Sequence, residues 1–100
     1  MIVSRVHVQT TNASKYLVQL SKHWSHRFPD LTYDKNRSDV PLPGGPCVLE
    51  ASATGLDVTL STETEADATR LEQVVAEHVK RFAFREELTF DWAREGAPAA

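Results

Sequence analysis

Two stretches of this 100-residue chain space their apolar residues at helical intervals, and the long segment between them alternates apolar and polar residues. The first stretch begins after the turn residues Thr11 and Asn12 and stops at Pro29, which disfavours helical geometry in the residue before it. The second runs from Ser61 to Ala83. Each helix carries a single narrow apolar stripe, so we predict that both helices pack on one face of a sheet. The stripes consist of Ala13, Leu17, Leu20, Trp24 and Phe28, and of Ala68, Leu71, Val75, Val79 and Phe82.

The other segments show the period of two that is typical of strands. Strands are predicted at residues 2–10, in a hairpin over residues 31–42, in a second hairpin over residues 47–60, and at residues 88–92. Pro41 and Pro43 would interrupt the hydrogen bonds of a central strand, so we predict that the second arm of the first hairpin is an edge strand. The turn at Gly44, Gly45 and Pro46 then leads into the second hairpin.

This order, β-α-β-β-β-β-α with a short final strand, predicts an α+β domain. We expect a curved antiparallel sheet of about four to six strands with both helices on one face, an arrangement that resembles TATA-binding-protein-like folds. The opposite face of the sheet carries polar side chains such as Arg5, His7 and Glu50, and we expect it to face solvent. We predict one domain over residues 1–93 and a flexible C-terminal tail over residues 94–100.

The formal net charge of −3 gives the chain no broad attraction for phosphate groups, so we predict no role in binding nucleic acid or an anionic membrane. Membrane insertion is not expected either, because no apolar run approaches the roughly 18 residues of a spanning helix. Cys47 is the single cysteine, which excludes an intramolecular disulfide, and the N-terminus lacks the apolar core of a secretory signal. We therefore expect a cytoplasmic protein in which Cys47 is a buried, unreactive thiol.

The residues that best suggest a function lie in two dense segments, 16–27 and 78–86, which contain three of the four histidines. At about 100° of rotation per residue, His23 and His26 lie on one flank of the first helix, beside its apolar stripe. His78 lies within the apolar arc of the second helix and is expected to be partly buried. If the helices are neighbours, the two segments form one surface patch, and we predict that this patch binds a ligand. The patch consists of Tyr16, Lys22, His23, His26, His78, Arg81, Arg85 and Glu86.

One interpretation of the patch is a metal site formed by His23, His26 and His78, with Glu86 as an additional carboxylate ligand. Neutral imidazole is a good ligand for zinc and iron, and histidines three positions apart on a helix can share a metal ion. However, none of the usual metal-binding spacings, such as HExxH or CxxC, accompanies them. The alternative is that His23 and His78 lie at the core edge and donate to backbone or carboxylate groups, while His26 is simply exposed.

A second interpretation uses the basic side chains of this surface to hold a small anion, such as a carboxylate or phosphate group. These side chains are Lys22, Arg27, Arg81 and Arg85. Arg81 and Arg85 are four positions apart, so their guanidinium groups can converge on one anion. The alternative is that these residues are solvated charges or form weak surface ion pairs. Phe84 lies outside the stripe of its helix, where it could cover the sheet end or form an oligomer contact.

Catalysis is not indicated by the sequence. Ser25 and His26 are neighbouring residues of a predicted helix, and adjacent helical residues do not face each other. Gly44 and Gly45 lie in a turn flanked by prolines rather than before a helix, so they do not form a phosphate-binding loop. We therefore predict a non-catalytic binding or accessory domain.

Three runs of the sequence resemble the small bacterial family known as domain of unknown function 2218: YLVQLSKHWSHRF, PCVLEA and HVKRFAFREELTFDW. The resemblance extends over nearly the whole chain. Members of that family occur as short free-standing proteins and attached to FAD-binding siderophore-interacting proteins, so the resemblance implies a link to iron or siderophore handling. This chain has no FAD-binding portion, and flavin reductase activity therefore does not transfer to it.

The leading functional hypothesis is an accessory protein of iron or siderophore metabolism whose patch binds a small anion or a metal ion. The alternative is an interaction module that docks on a flavin-dependent siderophore reductase or on a second copy of itself. In that case the contact would use the edge strand predicted near Val40 and Leu42.

Overall fold

The computed structural model describes residues 1–96, which form one antiparallel sheet of six strands and two helices. The elements are β1 (Ile2–Gln9), α1 (Ala13–Ser25), β2 (Thr32–Tyr33), β3 (Arg37–Val40), β4 (Cys47–Ala51), β5 (Gly55–Thr62), α2 (Glu65–Phe82) and β6 (Ala93–Glu95). The strands are ordered β2-β3-β4-β5-β1-β6, so the two longest strands, β1 and β5, are neighbours inside the sheet. This α+β arrangement and its order of elements confirm the predicted fold class.

Alternation along β1 and β5 separates the two faces of the sheet. Val6 lies opposite Val58 and Val8 opposite Leu56, and all four side chains are buried on the face that the helices cover. His7, between two of them, is exposed on the other face. A shift of one residue would turn the whole apolar set toward solvent, so burial of this set determines the register.

Both helices bury the apolar stripes that their spacing predicted. Leu17 and Leu20 of α1 are fully buried, as are Val75 and Val79 of α2, and they pack with the inward side chains of the sheet in one core. The stripe of each helix therefore faces the sheet, while its polar residues remain in solvent. Within residues 1–96, neither helix has the length and hydropathy needed to cross a membrane.

The two helices run antiparallel, which brings the start of α1 to the end of α2. Tyr16, in the first turn of α1, contacts Glu86, which follows α2. Trp24, in the last turn of α1, packs on His78 with ring centroids 5.3 Å apart. Tyr16 and Trp24 are eight positions apart, or about 12 Å along a helix axis. The predicted patch is therefore spread along the helix pair rather than gathered at one point.

The predicted edge strand is not at the edge, since β3 pairs with β4 on one side and with β2 on the other. The prediction was wrong because Pro41 and Pro43 follow the last residue of β3 and so interrupt none of its hydrogen bonds. Val40 and Leu42 are also buried. Within residues 1–96, the edge of the sheet next to β3 is therefore occupied by β2 opposite Ser38 and Asp39, whereas Val40 pairs with Cys47 alone.

The last strand lies further along the chain than the alternating residues at 88–92 predicted. β6 pairs with β1, with Val3 opposite Glu95, and it includes Arg94, where the sequence predicted the start of a flexible tail. Phe90 and Trp92 instead stack on each other, with ring centroids 6.2 Å apart, and pack against the core. The alternating residues thus cover the core without forming a strand. The end of the predicted tail, residues 97–100, lies outside the described residues.

Candidate functional site

Glu86 is the centre of a polar cluster that joins the end of β1, the start of α1 and the turn after α2. Its carboxylate accepts hydrogen bonds from the hydroxyl of Thr10 (2.9 Å) and from the side-chain amide of Asn12 (3.0 Å). The hydroxyl of Tyr16 donates to the same carboxylate. Thr10 and Tyr16 are both buried. Since a buried hydroxyl without a partner is costly, this carboxylate stabilises the junction of the three segments.

Hydrogen bonding determines the charge of this cluster. The bonds that Tyr16, Asn12 and Thr10 donate hold the pKa of Glu86 below its usual range. Burial raises the pKa of Tyr16, and the neighbouring Glu86 carboxylate raises it further. At neutral pH, Glu86 is therefore a carboxylate and Tyr16 is a neutral donor. This pair is suited to anchoring the start of α1 rather than to transferring a proton.

Glu86→Gln is expected to make stability less dependent on pH in the acid range. The folded-state pKa of Glu86 lies below the ordinary value of 4.5, so its stabilisation is fully present above that value and is lost as the pH falls through the folded pKa. Glutamine does not titrate, and the free energy of unfolding of the variant should therefore fall less steeply with acid. Urea unfolding at several pH values measures the slope.

The matched control for this measurement is Glu87→Gln. Glu87 is exposed and makes no side-chain hydrogen bond to any of residues 1–96, so its replacement should leave the acid dependence close to that of the wild type. Equal slopes for the wild type and Glu86→Gln would contradict the anchoring role of Glu86.

Beside this cluster is a surface cavity of about 330 Å³, between the start of α1 and the turn after α2. This volume lies at the lower end of the range of small-molecule sites, roughly 300–1,000 Å³. We call it the Glu86 cavity; it is lined by Asn12, Lys15, Tyr16, Phe82, Phe84, Arg85 and Glu86. The cavity combines three aromatic rings, two cationic side chains and the anchored carboxylate.

The cationic groups of the Glu86 cavity are available to a ligand. Within residues 1–96, neither Lys15 nor Arg85 forms an ion pair or a side-chain hydrogen bond with the protein. The guanidinium carbon of Arg85 lies 5.5 Å from the ring centroid of Phe84, and Phe84 is 78% exposed. The guanidinium thus lies over one face of an exposed aromatic ring, and both side chains line the cavity.

Tyr16, Arg85 and Glu86 are the members of the predicted patch that the structure brings together in this cavity. Lys22 and Arg81 are exposed and do not line it. Sequence reasoning missed Thr10, Asn12, Lys15 and Phe82 as part of the site. Their positions depend on the antiparallel contact of the two helices, which the spacing of residues within one segment does not indicate. The one signal in the sequence was the position of Phe84 outside the apolar stripe of its helix.

The predicted histidine trio does not form one group. His23 and His78 are neighbours, with ring centroids 6.0 Å apart, whereas His26 is exposed beyond the last residue of α1. In residues 1–96, no three His, Cys, Asp or Glu side chains are placed to hold a metal ion. Nδ1 of His78 lies 2.6 Å from the carbonyl oxygen of Val74, so this nitrogen carries the hydrogen and donates it. His78 therefore has the contacts of a half-buried histidine at the core edge.

Cys47 is fully buried in β4, as its alternation with neighbouring residues predicted. Burial raises the pKa of its thiol to about 12. The thiol is therefore neutral at physiological pH and has no nucleophilic character.

The open face of the sheet carries pairs of exposed charges around a surface cavity of about 520 Å³. Nδ1 of His7 lies 2.7 Å from Oδ1 of Asp57, and both side chains are about half exposed. Exposed pairs of this kind contribute little to stability. The polar character predicted for this face is confirmed.

Comparison with known proteins places the chain in a group without a described activity. A family model described as "Uncharacterized protein conserved in bacteria (DUF2218)" matches residues 5–93. The solved NMR structure of PA4090 from Pseudomonas aeruginosa is similar, with 29% sequence identity, a TM-score of 0.75, and coverage of 97% of this chain and 98% of that chain. No curated protein matches the chain. The two similarities concern family and fold, and neither description states a ligand or a reaction.

Proposed function

Because this chain belongs to the DUF2218 family of uncharacterised bacterial proteins, we propose from its geometry that it is a non-catalytic domain that binds a small organic anion. The binding site is the Glu86 cavity. The observation that carries this proposal is that two cationic side chains, Lys15 and Arg85, line the cavity beside two phenylalanine rings and form no hydrogen bond or ion pair of their own within residues 1–96. A ligand with an anionic group and a flat apolar part matches this combination.

The start of α1 adds to the attraction for an anion. The first turn of α1 contains no acidic residue, and the side chain of Asn12 forms no hydrogen bond that caps the helix. Instead, its amide donates to Glu86. The N-terminal end of a helix carries a partial positive charge, which favours anions nearby. Lys15 and the helix end thus act on the same side of the cavity.

Glu86 limits the charge of the ligand. Its carboxylate is occupied by three protein donors, but it still contributes a negative charge to the cavity wall. With Lys15 and Arg85 the cavity has a net charge of about +1, which favours a monoanion over a polyanion. The apolar part of the ligand is expected to lie on Phe82 and Phe84, since aromatic faces favour flat partners.

The family resemblance directs the first choice of ligand. Its implied link to iron and siderophore handling makes hydroxyaryl carboxylates, the monoanionic building blocks of aryl siderophores, the first class to test. Salicylate has the required single carboxylate and flat ring. We therefore propose an accessory role in siderophore metabolism, in which the domain holds such an aryl carboxylate.

Lys15→Gln and Arg85→Gln are each expected to weaken the binding of salicylate about ten-fold, since each removes a charge-assisted hydrogen bond. Calorimetric titration of the wild type and both variants measures the change. Lys22→Gln and Arg81→Gln are matched controls because both residues are exposed cations of the predicted patch outside the cavity. The proposal fails if salicylate and other aryl carboxylates do not bind, or if the controls weaken binding as much as the cavity variants.

A second candidate function is supported by the exposure of Phe84. A phenylalanine ring that is 78% exposed beside an arginine is also the composition of a protein contact. The partner could be a siderophore-interacting flavoprotein or a second copy of this chain. Titration of such a flavoprotein in place of salicylate, together with the oligomeric state in solution, distinguishes this function from anion binding.

A further inference from the structure

A second cavity lies toward the other end of the helix pair, and the proposed function does not involve it. It has a volume of about 220 Å³ and lies open to solvent between the end of α1 with the residues that follow it, the middle of α2, and the loop that follows β3. Its walls are mainly apolar: Trp24, Leu42 and Leu71 are buried, while Phe28 and Val74 are half-buried. We call it the Trp24 cavity.

Two arginines give the Trp24 cavity a cationic rim. Nη2 of Arg70 donates to Oδ1 of Asp67 (3.1 Å) and to the carbonyl oxygen of Pro43 (3.3 Å), whereas its Nε and Nη1 have no partner within residues 1–96. Arg27 forms neither an ion pair nor a side-chain hydrogen bond with those residues. One guanidinium is thus held in place with unused donors, and the other is free. With Asp67 included, the rim has a net charge of about +1.

The loop that follows β3 is shaped to approach Arg70. Gly44 has a φ of +95°, which L side chains rarely adopt, and a Cβ at this position would lie 2.7 Å from Nη2 of Arg70. Gly45 is buried, and a Cβ there would overlap with the carbonyl oxygen of Ser61. The two glycines therefore allow the backbone to form one wall of the cavity and to hold the guanidinium through Pro43. This is a structural role for the glycine pair that the sequence placed in a simple turn.

We propose that the Trp24 cavity binds a monocarboxylate with a short apolar tail. The carboxylate would accept hydrogen bonds from Arg70 and Arg27, since a guanidinium matches the two oxygens of a carboxylate. The apolar tail would lie against Trp24 and Phe28, which removes its surface from contact with water. Charge complementarity supports a monoanion as the ligand. The whole protein has a net charge of −3, whereas two arginines and one aspartate give the border of this cavity a net positive charge.

The test is a titration with hexanoate, followed by the fluorescence of Trp24 in a Trp92→Phe background. Trp24 lines the cavity, so binding should change its emission in a saturable way. Hexanol, which lacks the charge, and acetate, which lacks the tail, are the matched ligands and should each bind at least about ten-fold more weakly. Arg27→Gln and Arg70→Gln should each weaken hexanoate binding about ten-fold, whereas Arg81→Gln, outside the cavity, should not.

Three outcomes would overturn the proposal. These are the absence of a saturable change, equal binding of hexanol and hexanoate, and hexanoate binding that is unaffected by both arginine variants. Arg70 contacts the loop and its replacement could impair folding, so thermal unfolding of each variant is measured as well. The side chain of Arg27 has no hydrogen-bond or ion-pair partner within residues 1–96, and the Arg27→Gln variant decides the question if Arg70→Gln does not fold. Because Lys15 and Arg85 are not involved, failure here leaves salicylate binding in the Glu86 cavity unaffected.

Discussion

Leu60→Ala is expected to lower the free energy of unfolding by about 3 kcal/mol, in the middle of the range for leucine truncation in a core. Leu60 is 0% exposed and lies on β5, opposite Ser4 of β1 on one side and Cys47 of β4 on the other. Its side chain faces the helices, so the cavity left by truncation is enclosed by sheet and helices and cannot fill with water easily. Domains of this size have a total stability of about 5–15 kcal/mol, so this loss is large.

Urea unfolding monitored by circular dichroism measures this difference. Thr59→Ala is the matched control, because Thr59 is the preceding residue on the same strand but lies partly exposed on the opposite face. Its replacement should change the free energy of unfolding by no more than about 0.5 kcal/mol. Similar losses at the two positions would mean that β5 does not separate a buried face from a solvent face, contrary to the fold.

Gly45→Ala is expected to lower the free energy of unfolding by about 2 kcal/mol, as overpacking of a close contact does. The new methyl group would overlap with the carbonyl oxygen of Ser61 and lie 2.7 Å from the side-chain methyl of Thr62. Because the carbonyl belongs to the backbone of β5, the contact cannot be relieved by rotating a side chain. The loop must move instead, and the hydrogen bond from the N–H of Gly45 to the carbonyl of Leu42 (3.0 Å) would be strained.

The same substitution also affects the Trp24 cavity, since Leu42 and Pro43 form part of its wall. Chemical denaturation measures the loss of stability. Ala53→Val, which adds carbon atoms at an exposed turn residue, is the control and should stay within about 0.5 kcal/mol of the wild type. If Gly45→Ala is as stable as the wild type, the loop does not approach β5 as closely as the structure shows.

The Glu86 cavity shows which part of a candidate site can be predicted from the sequence. Tyr16, Arg85 and Glu86 were predicted as ligand-binding residues because they lie on dense helical segments, and all three line the cavity. Their contacts were not predictable from spacing. Thr10 and Glu86, for example, are 76 positions apart in the sequence. They are in contact because the fold places the end of β1 next to the turn that follows α2.

The histidines show the opposite case, in which local geometry was misleading. Placed on an ideal helix, His23 and His26 share a flank, and the sequence suggested that His78 could join them. His26 is the C-cap of α1 and keeps helical backbone angles, but it is exposed, and of the three only His23 and His78 have rings close together. His78 packs on both His23 and Trp24, and on a helix Trp24 and His26 lie on opposite sides of His23, so His78 is on the side of α1 away from His26.

The sequence alone determined the secondary-structure types, their order, the buried faces of the main elements and membership of the family. The secondary structure and the buried faces follow from periodicity, which acts over a few neighbouring residues, whereas the family follows from the resemblance of three longer runs. The tertiary structure decided which strand lies at each edge, which histidines are neighbours, and where cationic and aromatic side chains form cavities. Those features depend on strand pairing and helix packing between distant segments, such as Lys15 with Arg85 and Arg70 with Pro43. The pattern of a single segment contains no information about the rotation and offset of the segment that will pack against it.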